Sequence, residues 1–350
     1  MFYRTAESVS PKHPDKLCDQ ISDAVLDAYL TRDPEARVAV ECCGGHGVVF
    51  VTGEVTYGST GGVGATPKVG EAMTKVAGTR AMPEVDVPGI VRRIAGEGIG
   101  VHTKLVRQSP EIAAGVDTGG AGDQGIMIGY ACDETPEMLP LEVVLARRLN
   151  QHIYQKFPYD GKTQVTLAPD GRVASVVASF QNAPREELER LVREFFALKG
   201  DYYGAGLGDS TEIFANPAGD WKQGGFEADT GLTGRKLIVD NYGPRVAIGG
   251  GCFSGKDPSK VDRSAAYMAR RIAVDYLRKT RAHEVLVRLA YAIGRAEPLE
   301  QTVEINGRPE RISDYDLTPR GIIEFLDLKR PIYEKTARWG HFGEGFEWDM

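Results

Sequence analysis

The sequence predicts an α+β fold assembled from three similar units, and three observations carry that expectation. A strand-like run leads through a proline and a basic residue into a helix-like segment three times: GVVFVTGEVTYG before TPKVGEAMTKVAG, RVASVVASFQN before APREELERLVREFFAL, and QTVEINGRPERISDYDL before TPRGIIEFLDL. Pro67, Pro184 and Pro319 open the three helical segments and are spaced by about a third of the chain. Proline at the first helical position is a start signal, because an N–H there would have no intrahelical partner anyway. Helices and mixed strands also alternate without the regular βαβ cadence of a doubly wound sheet. Finally, 350 residues exceed what one ordinary core encloses.

Along the chain, the first helix begins at Pro14. Leu17, Ile21, Val25 and Ala28 recur at helical spacing, while Asp15, Asp19, Asp23 and Asp27 line another face. Glu41 and Glu54 stand in or beside strand-like apolar runs; a half-buried carboxylate there is costly unless a cation or ammonium pairs with it. YGSTGGVGA and QSPEIAAGVDTGGAGDQG read as loops from their small and turn-forming residues. In LEVVLARRLNQHIYQKF, Leu141, Leu145, Leu149 and Ile153 form one stripe, and Ala265, Ala269, Ile272 and Leu277 form another after Pro258.

Composition limits the function. A net charge of −7 repels nucleic acid and anionic membranes, so an anionic substrate needs a local basic cluster. No signal-like apolar core opens the sequence, and no apolar run is long enough to span a bilayer; a cytoplasmic protein is expected. Five cysteines without a C-x-x-C pair point to reduced thiols rather than disulfides or structural zinc.

Several motifs suit polyphosphate. GGGCFSGKDPSK (Gly249–Lys260) nearly spells a P-loop, but Asp257 stands where Ser or Thr would ligate Mg²⁺. GAGDQG fits G-x-G-x-x-G, yet the strand-like IMIGYA follows where a dinucleotide fold needs a helix; Asp123 within it is either a turn residue or a ligand contact. HPDK puts His13 and Asp15 at a helix start, where free N–H groups suit phosphate and an Asp either complements the dipole or ligates Mg²⁺. Arg235, Lys236, Lys256 and Lys260 concentrate cations on Gly-rich loops beside Asp229 and Asp262, and Lys162 is a further candidate. Several cations with Mg²⁺ would offset a polyphosphate.

Seven blocks, in order from near Glu7 to near Gly343, make the chain resemble the S-adenosylmethionine synthetase family: ESVSPKHPDKLCDQISDAVLDAYL, RQSPEI, GAGDQGIMIGYA, GLTGRKLIVD, GGGCFSGKDPSKVDRSAAYMAR, YAIGRAEP and WGHFG. The resemblance implies three similar α+β domains around a pseudo-threefold axis, expected here at residues 1–112, 113–223 and 224–350. It implies that ATP and L-methionine give S-adenosylmethionine by sulfur attack on the ribose C5′, with the expelled triphosphate hydrolysed to pyrophosphate and phosphate. His13, Lys162, Arg235, Lys256 and Asp123 are the implied catalytic residues. Asp160, Lys162, Trp221, Asp229, Arg235, Lys236, Cys252 and Lys256, with His13, would contact ATP; Glu54, Gln108, Asp229 and Lys260 would contact methionine. Asp15 and Asp262 would hold Mg²⁺, two ions per site, and Glu41 would hold K⁺. The segment from Gln108 resembles the family's gating loop, and relatives are homodimers or dimer-based homotetramers whose active sites draw on both subunits. An ATP-dependent phosphotransferase and a non-catalytic nucleotide-binding regulator are the alternatives.

The chain departs from the family pattern in three motifs, and its middle region is shorter than usual. GDWKQGG (Gly219–Gly225) puts Asp220 where an arginine is common and keeps an aromatic, Trp221, which bears on nucleotide affinity and base selectivity. SFQN ends in Asn182 rather than histidine, and PKHPDK replaces EGHPDK.

Overall fold

The computed structural model describes residues 2–56, 85–108 and 119–350. The helical segment expected after Pro67 and the loop expected beyond Gln108 lie outside the described residues. The strands of the first sheet are β2 (Arg37–Gly45), β3 (Val48–Thr56), β4 (Gly100–Val106) and β9 (Gly231–Leu232). The second holds β1 (Arg4–Val9), β6 (Gly161–Leu167), β7 (Val173–Phe180) and β8 (Leu207–Ala215). The third holds β5 (Gly125–Cys132), β10 (Glu284–Tyr291), β11 (Glu300–Ile305) and β12 (Arg308–Arg311).

All three sheets share one plan, with spatial orders β9-β2-β3-β4, β1-β6-β7-β8 and β5-β10-β11-β12. Two antiparallel strands adjacent in sequence form the middle. The strand beside the first of them comes from another third of the chain: β9 on β2, β1 on β6 and β5 on β10, always antiparallel. The exchange is cyclic, so removing one third would expose an unpaired sheet edge.

The expected three-unit α+β architecture stands, with one difference in the third copy. The helices are α1 (Pro14–Leu30), α2 (Val87–Ala95), α3 (Leu141–Lys156), α4 (Arg185–Tyr203), α5 (Leu237–Asp240), α6 (Val261–Thr280) and α7 (Pro319–Phe325). In the first two sheets a helical crossover returns the chain to the same end, so β4 and β8 lie parallel to β3 and β7. In the third, Asn306 and Gly307 both take positive φ between Ile305 and Arg308. Such a two-residue turn closes a tight hairpin, so β12 is antiparallel and α7 follows the finished sheet.

The apolar stripes find their cores. Leu17, Ile21 and Val25 of α1 and Ala265, Ala269, Ile272 and Leu277 of α6 belong to one buried cluster that serves the first and third sheets. Leu145, Leu149 and Ile153 of α3 pack with Leu188, Val192 and Phe195 of α4 over the second sheet. No helix among the described residues is long and apolar enough to cross a membrane.

Helix starts refine the proline signals. Thr318 caps α7, its side chain accepting from the Gly321 N–H, with Pro319 in the first turn. Pro184 sits one residue before α4 and offers no side-chain cap. Instead, Asp220 Oδ1 accepts the Arg185 N–H at 3.1 Å. The residue that departs from the family pattern therefore caps a helix. Asp220→Ala should cost about 1 kcal/mol, the usual value of a lost N-cap, seen as a lower urea midpoint at unchanged slope; an unchanged midpoint would refute the capping role.

Candidate active site

The acidic stripe of α1 does not face solvent. Asp15, Asp19 and Asp23 are buried, and successive members stand about 6 Å apart along the axis. Each receives a backbone N–H from the C-terminal part of the chain: Leu232 on Asp15 at 3.0 Å, Gly234 on Asp19 at 2.8 Å and Gly255 on Asp23 at 2.8 Å. Asp27 accepts from Tyr333 and Glu334. One helix thus sets the positions of both Gly-rich cationic loops.

Charges on the stripe are met one by one. Lys236 Nζ lies 2.6 Å and Arg235 Nε 3.1 Å from the Asp15 carboxylate. Burial alone would raise the Asp15 pKa, but hydrogen bonds from Lys236 and Leu232 hold it below the ordinary value. Lys16, fully buried, bridges Asp19 at 3.0 Å and Asp240 of α5. The loop carrying Arg235 and Lys236 is therefore held at both ends, by Asp19 through Gly234 and by Lys16 through Asp240.

His13 is the N-cap of α1, and its Nδ1 accepts the Asp15 N–H at 3.2 Å. Burial first, then the nearby Lys236 and Lys162 cations, push its pKa down to about 3. The ring is neutral at working pH and, with Nδ1 an acceptor, carries its proton on Nε2. An unfolded histidine titrates near 6.5. Acid between those two values therefore protonates the unfolded chain preferentially, and this site weakens the fold as pH falls from about 6.5 toward 3. An NMR titration of the His13 ring should show no inflection between pH 5 and 8; one near 6.5 would refute the buried neutral ring.

The Lys256 loop lies along the edge of β2. The Val40 N–H donates to the Gly255 carbonyl at 3.0 Å, and Lys256 bridges Ala39. A Cβ on Gly255 would come within 1.8 Å of the Val40 oxygen, and its φ of +80° also favours glycine. Lys256 Nζ pairs with the Asp262 carboxylate at the start of α6. Gly251 makes room for that carboxylate, which an added Cβ would meet at 2.0 Å. Asp257 is buried and takes the Val38 and Ser259 N–H groups and the Lys260 ammonium. It is a structural anchor, so the P-loop lettering does not describe the geometry.

Strand register assembles the rest of this face. Ala39 pairs with Lys256 on one side and Glu54 on the other. Cross-strand partners share a face, which puts Lys256 and Glu54 in one row about 10 Å apart. Glu41 stands in the next row, opposite Thr52. The two cationic loops meet where Cys252 lies against Gly234, a Cβ on which would approach Cys252 Cβ to 2.6 Å. Burial raises the Cys252 pKa, so the thiol stays protonated.

The second sheet closes the other side. Lys162, the second residue of β6, is exposed. Asp160 is buried; its Oδ2 accepts the Gly225 N–H at 2.9 Å, and burial raises its pKa. The charge of exposed Asp229 acts on both His13 and Asp160. Half-buried Trp221 donates from Nε1 to Asn216 at 3.3 Å, and its carbonyl receives the Asn182 N–H.

The fold thus gathers His13, Asp15, Arg235, Lys236, Lys162, Asp229 and Asp160 around the start of α1, with Lys256, Asp262, Cys252 and Glu41 beyond Gly234. Lys260 turns toward Asp257. Gln108 ends the described stretch after β4, and Asp123 is exposed before β5, its Oδ1 taking the Gln124 N–H. Sequence reasoning misses Lys16, Asp19, Asp23 and Arg263 as site residues. The four-residue spacing of the aspartates is the one signal for Asp19 and Asp23, and Lys16 and Arg263 carry none.

No group of three or more His, Cys, Asp or Glu suited to a metal occurs among the described residues. Asp15 and Asp262 instead offer single carboxylates beside cations. Mg²⁺ is commonly held by one or two carboxylates together with substrate phosphates, and an ion at either position would have to share the carboxylate with these ammonium and guanidinium partners.

Residues 1–110, 118–221 and 223–350 match the family models for the N-terminal, central and C-terminal domains of S-adenosylmethionine synthetase. The S-adenosylmethionine synthases of two Thermus thermophilus strains are each 43% identical to this chain over 388 aligned positions, covering 99% of the chain and 95% of the relative.

Proposed function

The chain belongs to the S-adenosylmethionine synthetase family, and we infer from its site how it serves the activity that follows, synthesis of S-adenosylmethionine from ATP and methionine. The methionine sulfur carries its own lone pair, so no residue need act as nucleophile. It attacks the ribose C5′, and the triphosphate leaves and is then hydrolysed to pyrophosphate and phosphate. The barrier lies in the leaving group, whose growing charge must be met by fixed cations.

The observation that carries this reading is the pair of preset ion pairs, Lys236 with Asp15 and Lys256 with Asp262, on loops that meet at Gly234 and Cys252. Arg235, Lys236, Lys256 and Lys162 meet the triphosphate. Neutral His13 offers its Nε2–H at the bond between ribose and triphosphate. Asp160, Cys252 and Asp229 contact the nucleotide, and Trp221 stacks on adenine. Glu54, Gln108, Asp229 and Lys260 hold methionine, Lys260 having donors to spare beyond the one given to Asp257. Asp123 helps position substrate. Asp15 and Asp262 would each hold a Mg²⁺, and Glu41 a K⁺; bound there, these ions neutralise phosphate charge.

A homodimer, or a dimer-based homotetramer, completes the site. Phe50, Val106 and Leu232 on the first sheet, Phe214 on the second and Ile126 on the third are exposed apolar residues, and Phe50 stacks on His102 at 5.0 Å on the same face as Glu41 and Glu54. Pairing these faces would bury them over the substrates. The protein is read as cytoplasmic, and its net charge of −7 disfavours binding to nucleic acid or anionic membrane surfaces.

Product analysis with ATP, Mg²⁺, K⁺ and methionine tests the reading. Methionine-dependent S-adenosylmethionine with matching pyrophosphate and phosphate supports it. ADP would favour phosphotransfer, and intact bound ATP a regulator. Sedimentation of the active protein as a monomer would overturn the shared site.

A further inference from the structure

We propose that Asp23 and Arg263 form a positioning pair that aims Lys256, an inference that rests on reading Lys256 as a triphosphate contact. The two side chains are fully buried and joined by Arg263 Nη2 at 2.7 and 2.8 Å from the Asp23 oxygens. Each also grips the backbone of the same dipeptide. Asp23 Oδ1 accepts the Gly255 N–H at 2.8 Å, and Arg263 Nη1 donates to the Lys256 carbonyl at 3.1 Å. Between these points the Gly255 carbonyl accepts the Val40 N–H at 3.0 Å. The three peptide planes around Gly255 and Lys256 are therefore fixed from α1, β2 and α6, and the direction in which the Lys256 side chain leaves the backbone follows. Tyr333 backs the guanidinium, with the ring centroid 4.5 Å from Cζ.

Stability does not account for such a pair. Desolvation consumes much of the attraction in a buried ion pair, and apolar residues of similar volume hold a fold as well or better. Apolar residues cannot, however, take an N–H and give one to a carbonyl two peptide units away. Lysine has the donors but not the planar fork that meets both carboxylate oxygens and the Lys256 carbonyl in one fixed geometry, so it would hold the loop less rigidly.

The test separates holding the fold from aiming the cation. Arg263→Met alone should lower both Tm and product formation, since it strands the Asp23 carboxylate. Asp23→Leu with Arg263→Met should recover most of the Tm while kcat stays about 100-fold low, as expected of a misaimed catalytic group, with the methionine KM little changed. Arg263→Lys keeps the charge and should fold, yet lose at least about tenfold in kcat; it decides the matter if the double variant does not fold. Recovery of kcat along with Tm in the double variant, or full activity in Arg263→Lys, would overturn the pair's role. Lys256→Ala is assayed beside them. Full activity there would overturn the triphosphate reading itself, whereas low activity there with an active double variant would overturn only the positioning.

Discussion

Lys256→Ala should lower the rate of S-adenosylmethionine formation by about 10²–10³-fold, the loss typical when one preorganised group facing developing charge is removed, while Tm changes little. Burial by itself would lower the Lys256 pKa, but the Asp262 carboxylate paired with it helps to raise it above the ordinary lysine value, so the ammonium is charged whenever substrate arrives. Its structural partner Asp262 keeps some solvent contact, with 12% of the side chain exposed. The carboxylate can therefore hydrate when the lysine is gone. Single-turnover product formation and thermal melting, measured on the same preparation, check this. Parallel losses of activity and melting temperature would make Lys256 a structural residue.

Lys16→Met should act in the opposite way and lower the unfolding free energy by about 3–5 kcal/mol, the cost of breaking a buried pair from one side. Burial would lower the Lys16 pKa, but Asp19 and Asp240 together raise it above the ordinary 10.5. Its contribution is therefore fully present below the unfolded lysine value and is lost only as pH rises through the higher folded one. Without the ammonium, two buried carboxylates face each other across an apolar methionine, and the Gly234 loop loses the anchor that Asp240 provides. Urea denaturation at neutral pH checks the size of the loss. A cost below about 1 kcal/mol would mean that Asp19 and Asp240 find other partners.

The sequence presents both lysines alike, each beside glycines or aspartates in a polar run, yet the two expectations differ. Lys16 is enclosed by Asp19 and by Asp240 from far along the chain, whereas Lys256 pairs with the nearby, partly exposed Asp262. The same holds for Asp220. In sequence it reads as a lost arginine near the nucleotide; in the fold it caps α4. Asp257 shows the effect within a motif, because its place in G-x-x-x-x-G-K suggests a failed metal ligand, yet it anchors the loop to Val38 and Lys260.

By itself the sequence determined the strand-to-helix steps at Pro184 and Pro319, the apolar stripes of α1, α3 and α6, the strand after Gly125 that ruled out a dinucleotide fold, and the ordered blocks that identify the family. These are local patterns, set by the periods of 3.6 and 2 and by residues that start and stop elements. Tertiary structure alone decided that each sheet borrows an edge strand from another third, and that Lys256 and Glu54 share a row on one face. It also decided that the aspartates of α1 point inward. An aspartate stripe looks the same in sequence whether water or backbone N–H groups receive it. Only the packed chain supplies the N–H groups of Leu232, Gly234 and Gly255 that make burying those charges tolerable.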